Sequence, residues 1–155
     1  MQEDTTIQML SELREGCDAV ARWCSKAAVA MNATDEQTLL RSITAQHAAM
    51  RDELDSTIAE CGRVPLTLPF ARGSVADLLQ RRWIAVAQAA AVKDAGEILK
   101  ACREGEHSLA DLYRKAAGCD ALTAEQVALI RKHARDIDRA CDQLSNLIRC
   151  DGEPT

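Results

Sequence analysis

Residues 94–117 read DAGEILKACREGEHSLADLYRKAA. Asp94 can accept backbone N–H bonds at a helix start, and Glu97, three residues on, completes a capping box. Ala95, Leu99, Cys102, Leu109, Tyr113 and Ala116 then follow alternating steps of four and three, with one gap in the series. Glu106 fills that gap. The period makes the stretch an amphipathic helix, and it sets a carboxylate at the centre of the apolar stripe. Such a group is costly to bury unless it is paired, protonated or bound to a cation. Tyr113, one heptad away, His47 or an arginine would satisfy it structurally. A role as metal ligand or as acid/base group is the functional alternative.

The other stretches carry the same period. Leu10, Leu13, Cys17, Val20, Cys24, Ala27 and Met31 form a stripe in a helix over 5–32, opened by Asp4 or Thr5. Thr34 with Gln37 gives a capping box for a helix over 34–61, whose stripe is Leu40, Ile43, His47, Met50, Leu54, Thr57 and Cys61. The short connection makes the two antiparallel. Gly62 suits the position after that helix. In residues 63–73, RVPLTLPFARG, Pro65 and Pro69 forbid helix, and Leu66, Leu68 and Phe70 alternate as an extended segment lying on the bundle. Ser74 with Asp77 starts a shorter helix over 74–91, apolar on nearly every side in its second half and therefore expected to be covered. Thr123 with Gln126 caps a last helix over 123–149, striped by Val127, Ile130, Ala134, Ile137, Cys141, Leu144 and Ile148, with a frayed tail from residue 151.

At 1.5 Å rise per residue the four long helices run roughly 36 to 42 Å and the shorter one about 27 Å, enough to carry the chain most of the way back. The third long helix would then lie parallel to the second. The expected architecture is all-α: one domain over 1–155, an antiparallel four-helix bundle with an extra crossover helix between helices two and three.

Composition narrows the function. The chain has 155 residues, a net charge of −5 and few aromatic residues. That balance argues against a phosphate-binding surface, so no nucleic-acid partner is expected. No apolar run approaches about 18 residues, no secretory signal is visible, and no membrane association is expected. The seven cysteines form no Cys-x-x-Cys pair and no zinc spacing, which suits packing residues in a reducing cytoplasm. Cys119, in a loop, is the thiol most open to reagents, and thiol-based redox sensing through it is a further reading. No phosphate loop, dinucleotide motif or nucleophile–base arrangement stands out, and no reaction is assigned.

With these elements placed, the chain resembles a bacterial family of ferritin-like, rubrerythrin-like four-helix proteins of unknown function, the domain-of-unknown-function family 2383. The resemblance rests on Cys102-Arg103-Glu104-Gly105-Glu106 with Tyr113, and on the Gly73-Ser74 start and Trp83 of the crossover helix. Asp18 with Trp23, and Glu53-Leu54 before Gly62, agree more loosely. It implies a ferritin-like bundle and metal-binding ancestry, and brings no known reaction.

A ferritin-like di-iron site needs an inward Glu from each of two helices and Glu-x-x-His from each of the other two. The Glu-x-x-His here, Glu104 to His107, places His107 on the polar face. Cys17, Ala21 and Cys24 occupy the inward positions of the first helix, Gln46 stands where relatives tend to carry Glu, and Cys141 where the resemblance implies His. The leading expectation is a non-catalytic cytoplasmic bundle with a degenerate metal site and no cofactor, acting as a homodimer or through a protein partner. Its contact surface would be the crossover helix at Leu79, Trp83 and Val86. The alternative is binding of iron, another transition metal or a small ligand by Glu106, His47 and His133, the last at the edge of its stripe. Glu15, Asp18 and Glu53 are expected to be solvated.

Overall fold

The computed structural model describes residues 2–152, with side chains over 3–149. The described residues are all-α and form five helices with no strand: α1 (Gln2–Ala30), α2 (Thr34–Glu60), α3 (Val75–Val92), α4 (Ala95–Ala117) and α5 (Ala124–Gly152). Since α5 continues to Gly152, the frayed tail expected from residue 151 is not seen there, and residues 153–155 lie outside the described part.

Three of the expected caps form. The Asp94 carboxylate accepts from the Glu97 N–H, and the Ser74 hydroxyl accepts from the Asp77 N–H. Thr123 and Gln126 close a reciprocal box, each backbone N–H donating to the other's side-chain oxygen. At the end of α2, Gly62 has φ +71°, its N–H reaches the Ala59 carbonyl, and the Arg63 N–H reaches the Ile58 carbonyl. This is a Schellman closure, and glycine permits it because it alone adopts positive φ freely. The Thr34–Gln37 box does not form. Ala33 precedes the helix without a side-chain cap, and the Gln37 amide instead donates to the Ala28 carbonyl at 2.9 Å. The turn is so short that Gln37 is within reach of the unsatisfied end of α1.

Cross-helix contacts fix the topology. Arg14–Asp55 and Arg51–Asp18 make α1 and α2 antiparallel, and Arg114–Asp138 with Arg103–Ser145 does so for α4 and α5. Gly16 faces Leu109 while Trp23 lies on Gly105, so α1 and α4 are antiparallel neighbours. Contacts from Glu53 to His133 and from Cys61 to Gln126 make α2 and α5 antiparallel too. Consequently α2 and α4 run parallel on one diagonal, while α3 packs across α1 and α4.

Burial shifts two stripes. In α2, Ile58 rather than Thr57 and Cys61 completes the inner face, and the Thr57 hydroxyl returns to the Glu53 carbonyl. In α5, His133 takes the inward position expected of Ala134. The connection over 63–73 lies on α1 through the Leu66 N–H to Ser11 Oγ at 2.9 Å. Its apolar side chains are not packed as expected: Phe70 is 72% exposed and Leu66 is also exposed. Prolines at 65 and 69 keep that segment from forming a helix, and of its three alternating apolar side chains only Leu68 is half-buried. The second half of α3 is less covered than its composition suggested. Val86 and Ala89 are buried, whereas Ile84 and Val92 are exposed, because only one side of α3 meets the bundle. Among the described residues no helix is long and apolar enough to cross a membrane.

Candidate functional site

Glu106 does turn into the core. Its partner comes from the diagonal helix: His47 Nε2 of α2 lies 2.8 Å from Glu106 Oε1, and neither side chain has exposed surface. His47 is held from behind by Nδ1 against the Ile43 carbonyl at 2.9 Å, one turn earlier in the same helix. That bond assigns the proton of a neutral ring to Nδ1, so contact with the carboxylate through Nε2 favours a second proton there. The Nε2–Oε1 approach is short but out of line with the ring N–H, so neither atom makes a well-formed hydrogen bond, and Glu106 Oε2 has no partner among the described residues. A buried polar atom left in this way costs about 1–3 kcal/mol.

Burial opposes charge on His47 and is the largest single effect. The Glu106 carboxylate and the Ile43 carbonyl together outweigh it, and the pKa is raised above the usual histidine value. The charge of Glu106 thus favours the protonated His47 ring, in a contact closed off from water.

A second buried set lies between α1, α4, α5 and α2. Cys17 Sγ is 3.2 Å from Tyr113 Oη, which is 2.9 Å from His133 Nδ1. His133 Nε2 is in turn 3.3 Å from Glu53 Oε1, where the chain of contacts reaches partly exposed surface. Tyr113 therefore satisfies His133 and Cys17 rather than Glu106. Burial lowers the His133 pKa against the opposing pull of Glu53, so this ring is held neutral. Burial pushes the Cys17 thiol up to about 12 and raises Tyr113 as well.

Cys24 and Cys141 are also kept protonated. Cys24 is raised by its contact with Cys102 and by burial, and Cys141 is pushed up to about 12, chiefly by burial and then by the Glu106 charge. Thiols in that state are neither good ligands nor good nucleophiles.

Glu106 and His47 are therefore brought together, and His133 is placed apart from them, with both ring nitrogens occupied by Tyr113 and Glu53. His133 is fully buried, which corrects its expected place at a boundary. Glu53, Asp18 and Glu15, expected to be solvated, are half-buried as well, Glu53 on His133, Asp18 on Arg51 and Glu15 beside Arg14. The signal for His133 was weak: it is three residues from Ile130 and four from Ile137, a spacing that Ala134 shares equally well. His107 is exposed and Gln46 is half-buried, as their positions implied.

Among the described residues no group of three or more His, Cys, Asp or Glu side chains is arranged to hold a metal ion. The donors do not make a complete ligand set of the ferritin-like kind. On the crossover helix, Leu79 and Trp83 are half-buried, but Val86 has no exposed surface and cannot contribute to a contact face.

No curated protein matches the sequence. The family described as Domain of unknown function (DUF2383) matches residues 5–118, which span α1 to the end of α4 and include His47, Glu106 and Tyr113. The chain belongs to that family.

Proposed function

We propose that this chain is a non-catalytic ferritin-like, rubrerythrin-like bundle protein of the bacterial cytoplasm, its metal centre degenerate, acting by self-association or by binding a protein partner. The observation that carries this reading is the Glu106–His47 contact at 2.8 Å, with no group of three or more His, Cys, Asp or Glu side chains arranged to hold a metal ion among the described residues. The two groups neutralise each other, where a functional centre would have divided them among metal ions. The order and direction of the four long helices, with α2 parallel to α4, match the ferritin-like pattern with one long crossover. Association is supported by exposed apolar side chains on α3, where Ile84 and Val92 are 44% and 72% exposed.

Metal analysis of protein purified without chelator tests the core claim. Transition metal is expected well below one equivalent; a stoichiometric ion would overturn it. Sedimentation velocity tests the second part. A dimer at tens of micromolar, weakened by Ile84→Glu with Val92→Glu, is expected, and a monomer throughout would remove self-association.

One observation favours a second reading, in which iron, another transition metal or a small ligand binds at the same place. Glu106 Oε2 is buried without a partner. If metal is found, Glu106→Ala should abolish it; unchanged metal content would exclude Glu106 as a ligand.

A further inference from the structure

An open groove of about 1070 Å³ runs between the α1–α2 hairpin and the wall formed by residues 65–70 and the start of α3. The two walls differ in chemistry. The side formed by the connection and α3 is apolar, with Leu66, Phe70, Leu79 and Trp83 facing the space. The opposite side carries Arg14, Arg22, Lys26 and Arg51 against only Glu15 and Asp18.

Two of these cations are fixed: Arg14 by Asp55 at 2.6 Å and Arg51 by Asp18 at 2.9 Å. The other two are not. Arg22 is 63% exposed and reaches Asp18 and Glu15 only at 3.4 and 3.8 Å. Lys26 has no carboxylate within ion-pair distance among the described residues, and its ammonium lies 5.3 Å from the centre of the Trp83 ring. Arg22 and Lys26 stand one turn apart along α1, so the rim presents one exposed guanidinium in loose surface pairs and one ammonium without a carboxylate, beside an aromatic face in a chain whose net charge is −5.

We propose that this groove receives an acidic amphipathic helix of a different protein, its apolar face against Phe70 and Trp83 and two carboxylates one turn apart on Arg22 and Lys26. The proposal rests on the reading of the chain as an association module, and names the partner. A small ligand fits the space poorly, since such sites enclose about 70–90% of their ligand and this groove is only about half enclosed. A helix about 10–12 Å across lying in a groove buries one face and leaves the other in water. A second copy of this chain is disfavoured by charge, because a symmetric pairing through the groove would set the two Arg22–Lys26 pairs against each other.

The test uses the full chain and a fluorescein-labelled, lactam-stapled helix of about 18 residues, roughly 27 Å long. It carries Leu and Phe on one face and two Glu four residues apart on its flank. Anisotropy titrations are run beside otherwise identical peptides with Gln or Lys in place of Glu. The Glu peptide should bind at least about tenfold more tightly than the Gln peptide, and more weakly as salt is raised. The double variant Arg22→Glu with Lys26→Glu alters only solvent-facing side chains; it should lose the Glu peptide and gain the Lys peptide. Phe70→Ala should weaken all of them. Equal binding of Glu and Gln peptides, or no binding up to about 1 mM, overturns the proposal. A dimer that dissociates in Arg22→Glu with Lys26→Glu also overturns it, by making a second copy the occupant. Dimerisation broken only by the Ile84 and Val92 variants, without peptide binding, leaves the association reading standing while this proposal falls.

Discussion

His47 and His133 are both withdrawn from solvent in one bundle, yet their neighbours push them to opposite protonation states. His47 faces a carboxylate with no other strong partner, and its pKa is raised. His133 has a phenol on one nitrogen and a half-exposed carboxylate on the other, and burial prevails, lowering its pKa. The two shifts enter stability with opposite sign. A raised folded value gives stabilisation that is complete below the unfolded value of about 6.5 and is lost as pH rises through the folded value. A lowered folded value gives stabilisation present above about 6.5 and lost as pH falls through the folded value. In the parent the two act in adjacent windows, His133 below about 6.5 and His47 above it, so its stability peaks near that pH and each variant lacks one limb. The urea midpoint of His133→Gln should therefore decline as pH is raised above about 6.5, whereas that of His47→Gln should climb as pH is raised towards 6.5. Parallel profiles for both variants and the parent would show that neither ring titrates as its surroundings imply.

At the scale of the helix, backbone lies hard against a rigid ring at Gly105, in the middle of α4. A Cβ there would sit 2.9 Å from the Trp23 ring, which is itself buried. At Gly16 the added carbon would meet a Leu109 methyl at 2.6 Å, the free end of a flexible side chain. Both substitutions gain about 1 kcal/mol of helix propensity. Overpacking against a rigid indole costs about 1–3 kcal/mol, whereas a leucine can rotate away. Gly105→Ala should therefore lose up to about 2 kcal/mol, with Gly16→Ala close to neutral, as read by chemical denaturation. Equal effects would mean that the ring is free to shift. The same contrast explains what the sequence disclosed. Caps at Ser74, Asp94 and Thr123 are local, three residues wide, and so were legible together with the stripes they precede. Trp23 against Gly105, or Gln37 crossing to the Ala28 carbonyl, requires knowing which helix lies beside which. The inward turn of Glu106 was legible from its spacing. Its choice of His47 over Tyr113 was not, because Tyr113 is drawn away by His133 on another helix.

For the whole molecule, two helical hairpins are joined by residues 63–73 and α3; α3 packs on α1 and α4, and the hairpins also meet directly through α1 on α4 and α2 on α5. Trp23 on Gly105 and Glu53 on His133 hold one hairpin to the other directly. The connection itself is anchored by the Leu66 N–H on Ser11 and by Arg63 on Asp4, with Arg72 exposed just before the α3 cap. Its direction could be inferred from helix lengths, but its loose seating could not, since the alternation of Leu66, Leu68 and Phe70 reads equally well as a packed strap. Limited trypsin digestion distinguishes the two. Backbone that must enter a protease site has to leave its surroundings, and here few bonds oppose that. The first cleavage should follow Arg72, ahead of every lysine and arginine within the helices. Because the hairpins meet through the core, the nicked chain should still elute as one species on gel filtration and keep its helical circular dichroism, separating only in denaturant. A first cut inside α4 or α5, or fragments that part without denaturant, would show that the connection supports the bundle instead of merely joining its halves.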